Sequence, residues 1–179
     1  MPRIIEVVDY DPLWIEAFEK EAAVLNAVFG ERVVEVHHIG STAVPGLDAK
    51  PIIDILVILD NTDDINQFDR AMGDAGYRVR GECLDATIPG TPGRFYFTKE
   101  TNGVRSYHVH VYAKDHWEIP DKLAFRDYLR AHSDKAAAYG ELKRRIAAQH
   151  RLDNIGYMRA KDGFVKSTLN EARRWYLKE

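Results

Sequence analysis

The sequence holds a single cysteine, Cys83, so no disulfide can form within the chain and no cysteine cluster can bind zinc. It contains no apolar run near the ~18 residues that a membrane span needs. Its opening, Met1-Pro2-Arg3-Ile4-Ile5-Glu6, does not have the layout of a signal peptide. Strong charge of either sign is missing as well: 25 basic and 28 acidic residues leave a formal net charge of −3. That balance gives no global electrostatic case for a nucleic-acid partner, so any phosphate recognition has to be local. Repeats, low-complexity tracts and clear linkers are absent too. These absences point to a cytoplasmic protein in a reducing compartment, with no membrane partner.

What is present fits a folded domain. At 179 residues, 45% of them hydrophobic and 30% charged, the chain can bury a proper core. Asp11-Pro12 ahead of Leu13, Trp14, Phe18, Ala22 and Leu25 predicts an amphipathic helix that Gly30 stops. Val33 to Ile39 is β-rich, and Ile52 to Leu59 is almost continuously apolar, as in a strand covered on both faces. Asp63 to Ala75 has the spacing of a second helix, and Tyr77 to Gly81 that of a strand. Asp85 to Gly93, rich in Pro and Gly, must be a loop. Arg94 to Lys99 and Val104 to Tyr112 flank Asn102-Gly103, a hairpin signal. From about Pro120, three segments are helical in pattern: Leu123 to Ala131, Lys135 to His150 and Lys161 to Lys178. The expected class is α+β: a single domain over 1–179, with a body over about 1–118 and a helical segment over about 119–179.

Between the first two strands lie Gly40, Ser41, Thr42, Pro45, Gly46 and Lys50. Small residues let backbone N–H groups approach an anion, and the hydroxyls and the lysine add donors. The spacing is not that of a Walker loop. Residue chemistry alone leaves two readings open, a phosphate cradle or a tight connection in which the glycines serve turns.

The run His38-Ile39-Gly40-Ser41-Thr42-Ala43-Val44-Pro45-Gly46-Leu47, followed by Lys50-Pro51-Ile52-Ile53-Asp54-Ile55, resembles the signature of the GrpB family, also called UPF0157. Ala75-Gly76-Tyr77, Gly93-Arg94, His108-Val109-His110-Val111, Leu123 to Arg130, Ala138 to Lys143, and Tyr157 with Lys161 extend the resemblance over nearly the whole chain. The resemblance implies a nucleotidyltransferase-like mixed β-sheet with flanking helices and a C-terminal helical segment. It also implies a relation to a domain fused to dephospho-CoA kinase, but it supplies no established reaction.

In that superfamily a hydrophobic-Gly-Ser segment holds the triphosphate and a later strand carries two carboxylates one residue apart. Ile39-Gly40-Ser41 matches the first part, and Asp54 stands as the first carboxylate, the implied catalytic residue. Leu56 occupies the second position and cannot ligate magnesium or manganese. His108 and His110 alternate onto one strand face, so Asp54, His108 and His110 form a candidate mixed metal site, suited to zinc if the histidines ligate. Of His37 and His38, which must face opposite ways, His38 is the one expected on the Asp54 side. Lys50 and Arg94 are candidate phosphate clamps, while Lys99 is expected to solvate a sheet edge. Phe95 and Phe97 are expected in the core, with Tyr96 stacking on a base or covering the sheet. Tyr157 and Lys161 sit one helical turn apart, and the resemblance singles them out as a ligand-facing pair. Arg126 and Arg130 share a helix face beside Asp127, a solvated or salt-bridged one. Cys83 and Ser41 lack the surroundings of a nucleophile. The expected partner is a nucleotide or another phosphorylated small molecule. Two activities remain open: metal-dependent nucleotidyl transfer, or an inactive binding, chaperone-like or regulatory module.

Overall fold

The computed structural model describes residues 4–82 and 91–177. Cys83, and the expected loop from Asp85 as far as residue 90, lie outside that range. The chain divides into two compact units, one built on the sheet and one on the C-terminal helices. The sheet unit comprises Leu13–Ile39 and Ile52–Ile119; the helical unit comprises Met1–Pro12, Gly40–Pro51 and Pro120–Glu179.

In the sheet unit, helix α1 (Leu13–Phe29) begins directly after Pro12. Strands β1 (Val33–Ile39), β2 (Ile53–Leu59), β3 (Tyr77–Glu82), β4 (Phe95–Thr101) and β5 (Val104–Ala113) form one sheet in the order β1-β2-β5-β4-β3. Only β2 and β5 run parallel; the other pairings are antiparallel. The apolar run of β2 is explained by its place between two strands: Ile55, Leu56, Val57 and Leu59 are all fully buried. Asn102 and Gly103 both take positive φ, 53° and 76°, as the tight turn between β4 and β5 requires.

Helix α1 lies against one sheet face. Leu25 and Phe29 are buried there, each stabilising the unit by about 1.5–3 kcal/mol. Phe18 stacks on His38, with ring centroids 4.8 Å apart. Glu21, only 5% exposed, accepts hydrogen bonds from the Tyr77 hydroxyl and the Lys99 ammonium, each at 2.7 Å. Lys99 is thus ion-paired beneath the helix rather than solvating an edge, because the register that pairs it with Tyr77 sets it on the α1 face. The single helix expected over Asp63 to Ala75 is instead a 3-10 turn (Ile65–Phe68) followed by the short helix α2 (Asp69–Asp74). No side-chain cap bond starts either piece, and Gly73 weakens the second.

The helical unit contains α3 (Glu118–Ala131) from Pro120 onward, α4 (Ser133–Gln149) and α5 (Asn154–Tyr176). Helix α5 starts well ahead of Lys161, because Asp153 caps it by accepting from the Gly156 N–H at 2.9 Å. The loop Gly40–Pro51 belongs to this unit: Val44 and Leu47 are buried with Leu129, Ala136 and Tyr139. A second cluster joins Ile5, Ile146, Ala147 and Tyr157. Arg130 donates to the Ala43 carbonyl at 2.9 Å, and the ammonium of Lys143, 3% exposed, donates to the Asp48 carbonyl.

Candidate functional site

In the sheet unit, strand register decides what Asp54 meets. Paired strands place opposing residues on the same face, so Asp54 shares its face with Ile39 of β1 and His108 of β5. One step along, Leu56 shares it with His37 and His110. The expectation for His38 is therefore reversed. His38 pairs with Ile55 on the opposite face, under Phe18, and His37 lies on the Asp54 side, bonded to Glu35 at 2.5 Å.

Asp54, His108 and His110 are brought together as expected. Asp54 Oδ1 lies 3.0 Å from His108 Nδ1 and 3.9 Å from His110 Nε2. Burial alone would raise the Asp54 pKa, but the hydrogen bonds and charge of His108 and His110 outweigh it and hold the carboxyl well below its ordinary value. Tyr96 closes over the pair, stacked on His110 at 5.2 Å and edge-on to His108 at 5.4 Å. Burial first, then the nearby Asp54 carboxylate, pushes the Tyr96 hydroxyl up to about 12, so it stays protonated. Phe97, 2% exposed, packs in the core as its alternation implies.

The donor set does not fit the paired-carboxylate magnesium platform that the resemblance implies. Leu56, fully buried, fills the place of the second carboxylate, and the Asp54 oxygen nearest the imidazoles is already hydrogen-bonded. Among the described residues no group of three or more His, Cys, Asp or Glu side chains has the arrangement of a metal site. Arg94 is not part of this cluster. It precedes β4, four strand residues before the Thr98 that faces His108, or ~13 Å along the strand. There its charge acts on Tyr112, whose hydroxyl donates to Glu118 at 2.7 Å.

In the helical unit the loop opens at Gly40, whose φ of 71° and ψ of −170° belong to a region essentially reserved for glycine. A 3-10 turn over Ser41–Ala43 follows. The N–H groups of Ala43, Val44 and Leu47 donate to the carbonyls of Gly40, Ser41 and Val44. Those three N–H groups are therefore taken up within the loop, and the hydroxyl of Ser41 is half-buried. Thr42 is 1% exposed, so its side chain is part of the interior rather than a ligand contact.

Lys50, Tyr157 and Lys161 do converge. The ammonium of Lys50 lies 5.1 Å and that of Lys161 5.8 Å from the centroid of the Tyr157 ring. Tyr157 is itself buried, and burial pushes its hydroxyl pKa up, so the ring acts as a neutral cation–π platform. Arg126 and Arg130 pair with Asp127 at 2.6 and 3.6 Å, the salt-bridged option, and Arg130 additionally holds the loop.

One feature of the sheet is invisible to a strict alternation of side chains. Lys99 pairs with Tyr107 but Glu100 pairs with Arg105, so β5 carries a bulge at Ser106. The bulge turns Arg105 from the α1 face to the face of Tyr96 and Asp54. Nothing in the sequence except the departure from alternation around Arg105-Ser106-Tyr107 marks it.

Comparison with known proteins gives consistent relatives. A family profile described as GrpB protein matches residues 4–171. The chain is 40% identical over 173 residues to the UPF0157 protein YqkA of Bacillus subtilis, covering 97% of this chain and 48% of that protein. It thus spans about half the length of YqkA, but 94% of the glutamate-rich protein GrpB of Alkalihalophilus pseudofirmus, at 33% identity and 92% of this chain. The dephospho-CoA kinase of Mycobacterium leprae matches 94% of this chain with 46% of its own length, at 25% identity. Among solved structures, GrpB of Enterococcus faecalis superposes with a TM-score of 0.87 at 38% identity, covering 96% of this chain and 99% of that one. The Cid1 poly(U) polymerase superposes with a TM-score of 0.53 at 16% identity over 86% of this chain and 49% of that one, a likeness of fold alone.

Proposed function

The chain belongs to the GrpB family and has a nucleotidyltransferase-like fold, and from that premise we propose that it binds a nucleotide or another phosphorylated small molecule. The observation that carries this reading is the pair of lysine ammoniums, Lys50 and Lys161, held within 6 Å of one ring. Two ammoniums gathered at one buried aromatic ring present paired positive charge that a polyanion can engage. Gly40 and Ser41 belong to the same unit as the lysines, and the glycine-only conformation of Gly40 keeps the turn open to a close backbone approach. Ser41 serves as a hydroxyl donor, and the lysines neutralise phosphate charge.

Binding without catalysis is the form of this function that the residues favour. Leu56 in place of the second carboxylate and the hydrogen-bonded Asp54 do not fit magnesium, and no transfer step follows from them. The similarity to dephospho-CoA kinases supports the same reading, of a ligand-binding or regulatory module.

The test is a thermal-shift panel of nucleoside triphosphates and dephospho-CoA, each with magnesium, manganese, zinc or a chelator. A ligand at 100 times its Kd stabilises the folded chain by about 2.7 kcal/mol, a rise of about 5–10 °C for a protein of this size. The rise should persist with chelator and disappear in Lys50→Ala and Lys161→Ala. No rise with any compound at millimolar concentration rejects the reading. Transfer of radiolabelled nucleotide to an acceptor, lost in Asp54→Ala, would replace binding by catalysis.

A further inference from the structure

Arg105 has an unusual position for a guanidinium. It is 9% exposed, its Nη2 meets Glu100 Oε1 at 3.3 Å, and its Nε is buried with no hydrogen-bond partner. A buried donor left without a partner is costly, more so when charged, so such a group calls for an acceptor. The bulge at Ser106 is what turns this side chain onto the Tyr96 face, and bulges are a common device for re-aiming a side chain at a site.

Beyond Glu100, its neighbours include further donors. Arg80 donates through Nε to Thr98 Oγ1 at 3.1 Å, and the charges of both Arg80 and Arg105 act on the Tyr96 hydroxyl. Arg78 stands opposite Thr98 on the adjoining strand and is exposed. Glu100 beside Arg105 and Asp54 near Tyr96 carry negative charge on this face, against the three arginines Arg78, Arg80 and Arg105. A cavity of about 110 Å³ lined by Gly76, Arg78, Thr98 and Glu100 borders the cluster through Thr98 and Glu100, the partners of Arg80 and Arg105. Whole-ligand pockets begin near ~300 Å³, so this hollow suits one small oxyanion group rather than a nucleotide.

We propose that Arg105 and Arg80, with the Tyr96 hydroxyl, form an oxyanion-binding subsite on the sheet unit, taking a phosphoryl or carboxylate group. The guanidinium edges supply paired N–H donors, and the protonated tyrosine supplies a third. This subsite belongs to the sheet unit, and its binding does not depend on the lysine pair of the helical unit.

The experiment is an arginine Nε–Hε NMR titration of the 15N-labelled full chain with inorganic phosphate, acetate or chloride at constant ionic strength. It is repeated on the Lys50→Ala/Lys161→Ala variant, so failure of the lysine site and failure of this one are separable. The expected result is a saturable shift of the Arg105 and Arg80 signals with phosphate, acetate or both, while exposed arginines such as Arg145 and Arg159 do not follow. Saturation by phosphate alone identifies a phosphoryl group, and saturation by acetate a carboxylate. Arg105→Lys, which keeps the charge but loses the fork, should weaken binding by about tenfold or more. If that variant does not fold, Tyr96→Phe, which removes only the hydroxyl, should weaken binding several-fold. The absence of a saturable shift up to about 20 mM, far above a millimolar Kd, overturns the proposal. A parallel drift of all arginines, or saturation by chloride as well, overturns it equally.

Discussion

Replacing Asp54 by Asn tests the central carboxylate without changing its shape. The carboxylate makes one charge-assisted hydrogen bond, to His108 at 3.0 Å, and a weaker contact to His110 at 3.9 Å. A hydrogen bond to a charged group contributes about 1.5–3 kcal/mol, reduced here because the side chain is 29% exposed. We expect Asp54→Asn to lower stability at pH 7 by about 1–2 kcal/mol, or about 2–8 °C in Tm. Because the folded pKa is depressed, this contribution is fully present above the unfolded pKa and is lost as pH falls below it. In urea titrations the gap between wild type and variant should be constant above about pH 5 and narrow by about 1 kcal/mol per pH unit below about pH 4. A gap that stays constant down to pH 3 would show that the carboxylate is not held ionised by its neighbours. A variant more stable than wild type would mean that the cluster is strained for ligand binding rather than for folding.

Glu21→Ala should cost about 3–4 kcal/mol in denaturant, because it strands the Tyr77 hydroxyl and the Lys99 ammonium; a loss below 1 kcal/mol contradicts the network. Tyr77→Phe, which removes one of its bonds, should cost about 1–2 kcal/mol, and the two changes together less than their sum. Gly40→Ala should destabilise by about 1–3 kcal/mol, since no side chain suits its φ of 71° and ψ of −170°; unchanged stability would mean that the turn re-forms differently. Lys143→Met should cost about 2–3 kcal/mol by chemical denaturation, because the buried ammonium donates to the Asp48 carbonyl and lies 4.5 Å over Tyr139. An effect near zero would show that a thioether replaces it without loss.

Much of the fold is legible in local pattern. The Asn102-Gly103 turn, the apolar run of β2 and the Pro12 helix start are fixed by φ preference and periodicity, which neighbouring residues determine. The cluster of Asp54 with His108 and His110 was legible for the same reason: a period of two on each strand needs only the correct partner strand. What local pattern does not hold is decided at long range. The side taken by His38 depends on the register with β2 and on Phe18 of α1. Lys99 finds Glu21 across 78 residues of chain, and Arg105 changes face through a bulge that only pairing with β4 defines. Sequence pattern alone places the loop in a body ending near residue 118, yet it groups with the C-terminal helices, since its carbonyls are held by Arg130 and Lys143.

That last arrangement bears on how the protein is made. The loop leaves the ribosome well ahead of Lys143, which bonds the carbonyl of Asp48 and follows 95 residues later. At ~5–20 residues per second the loop waits ~5–20 s during synthesis for the helices that secure it. Strands β1 and β2 can pair in the meantime, so the nascent chain carries the Gly40–Pro51 segment as a connection between paired strands, not yet held by Arg130 and Lys143, until α3 and α4 emerge.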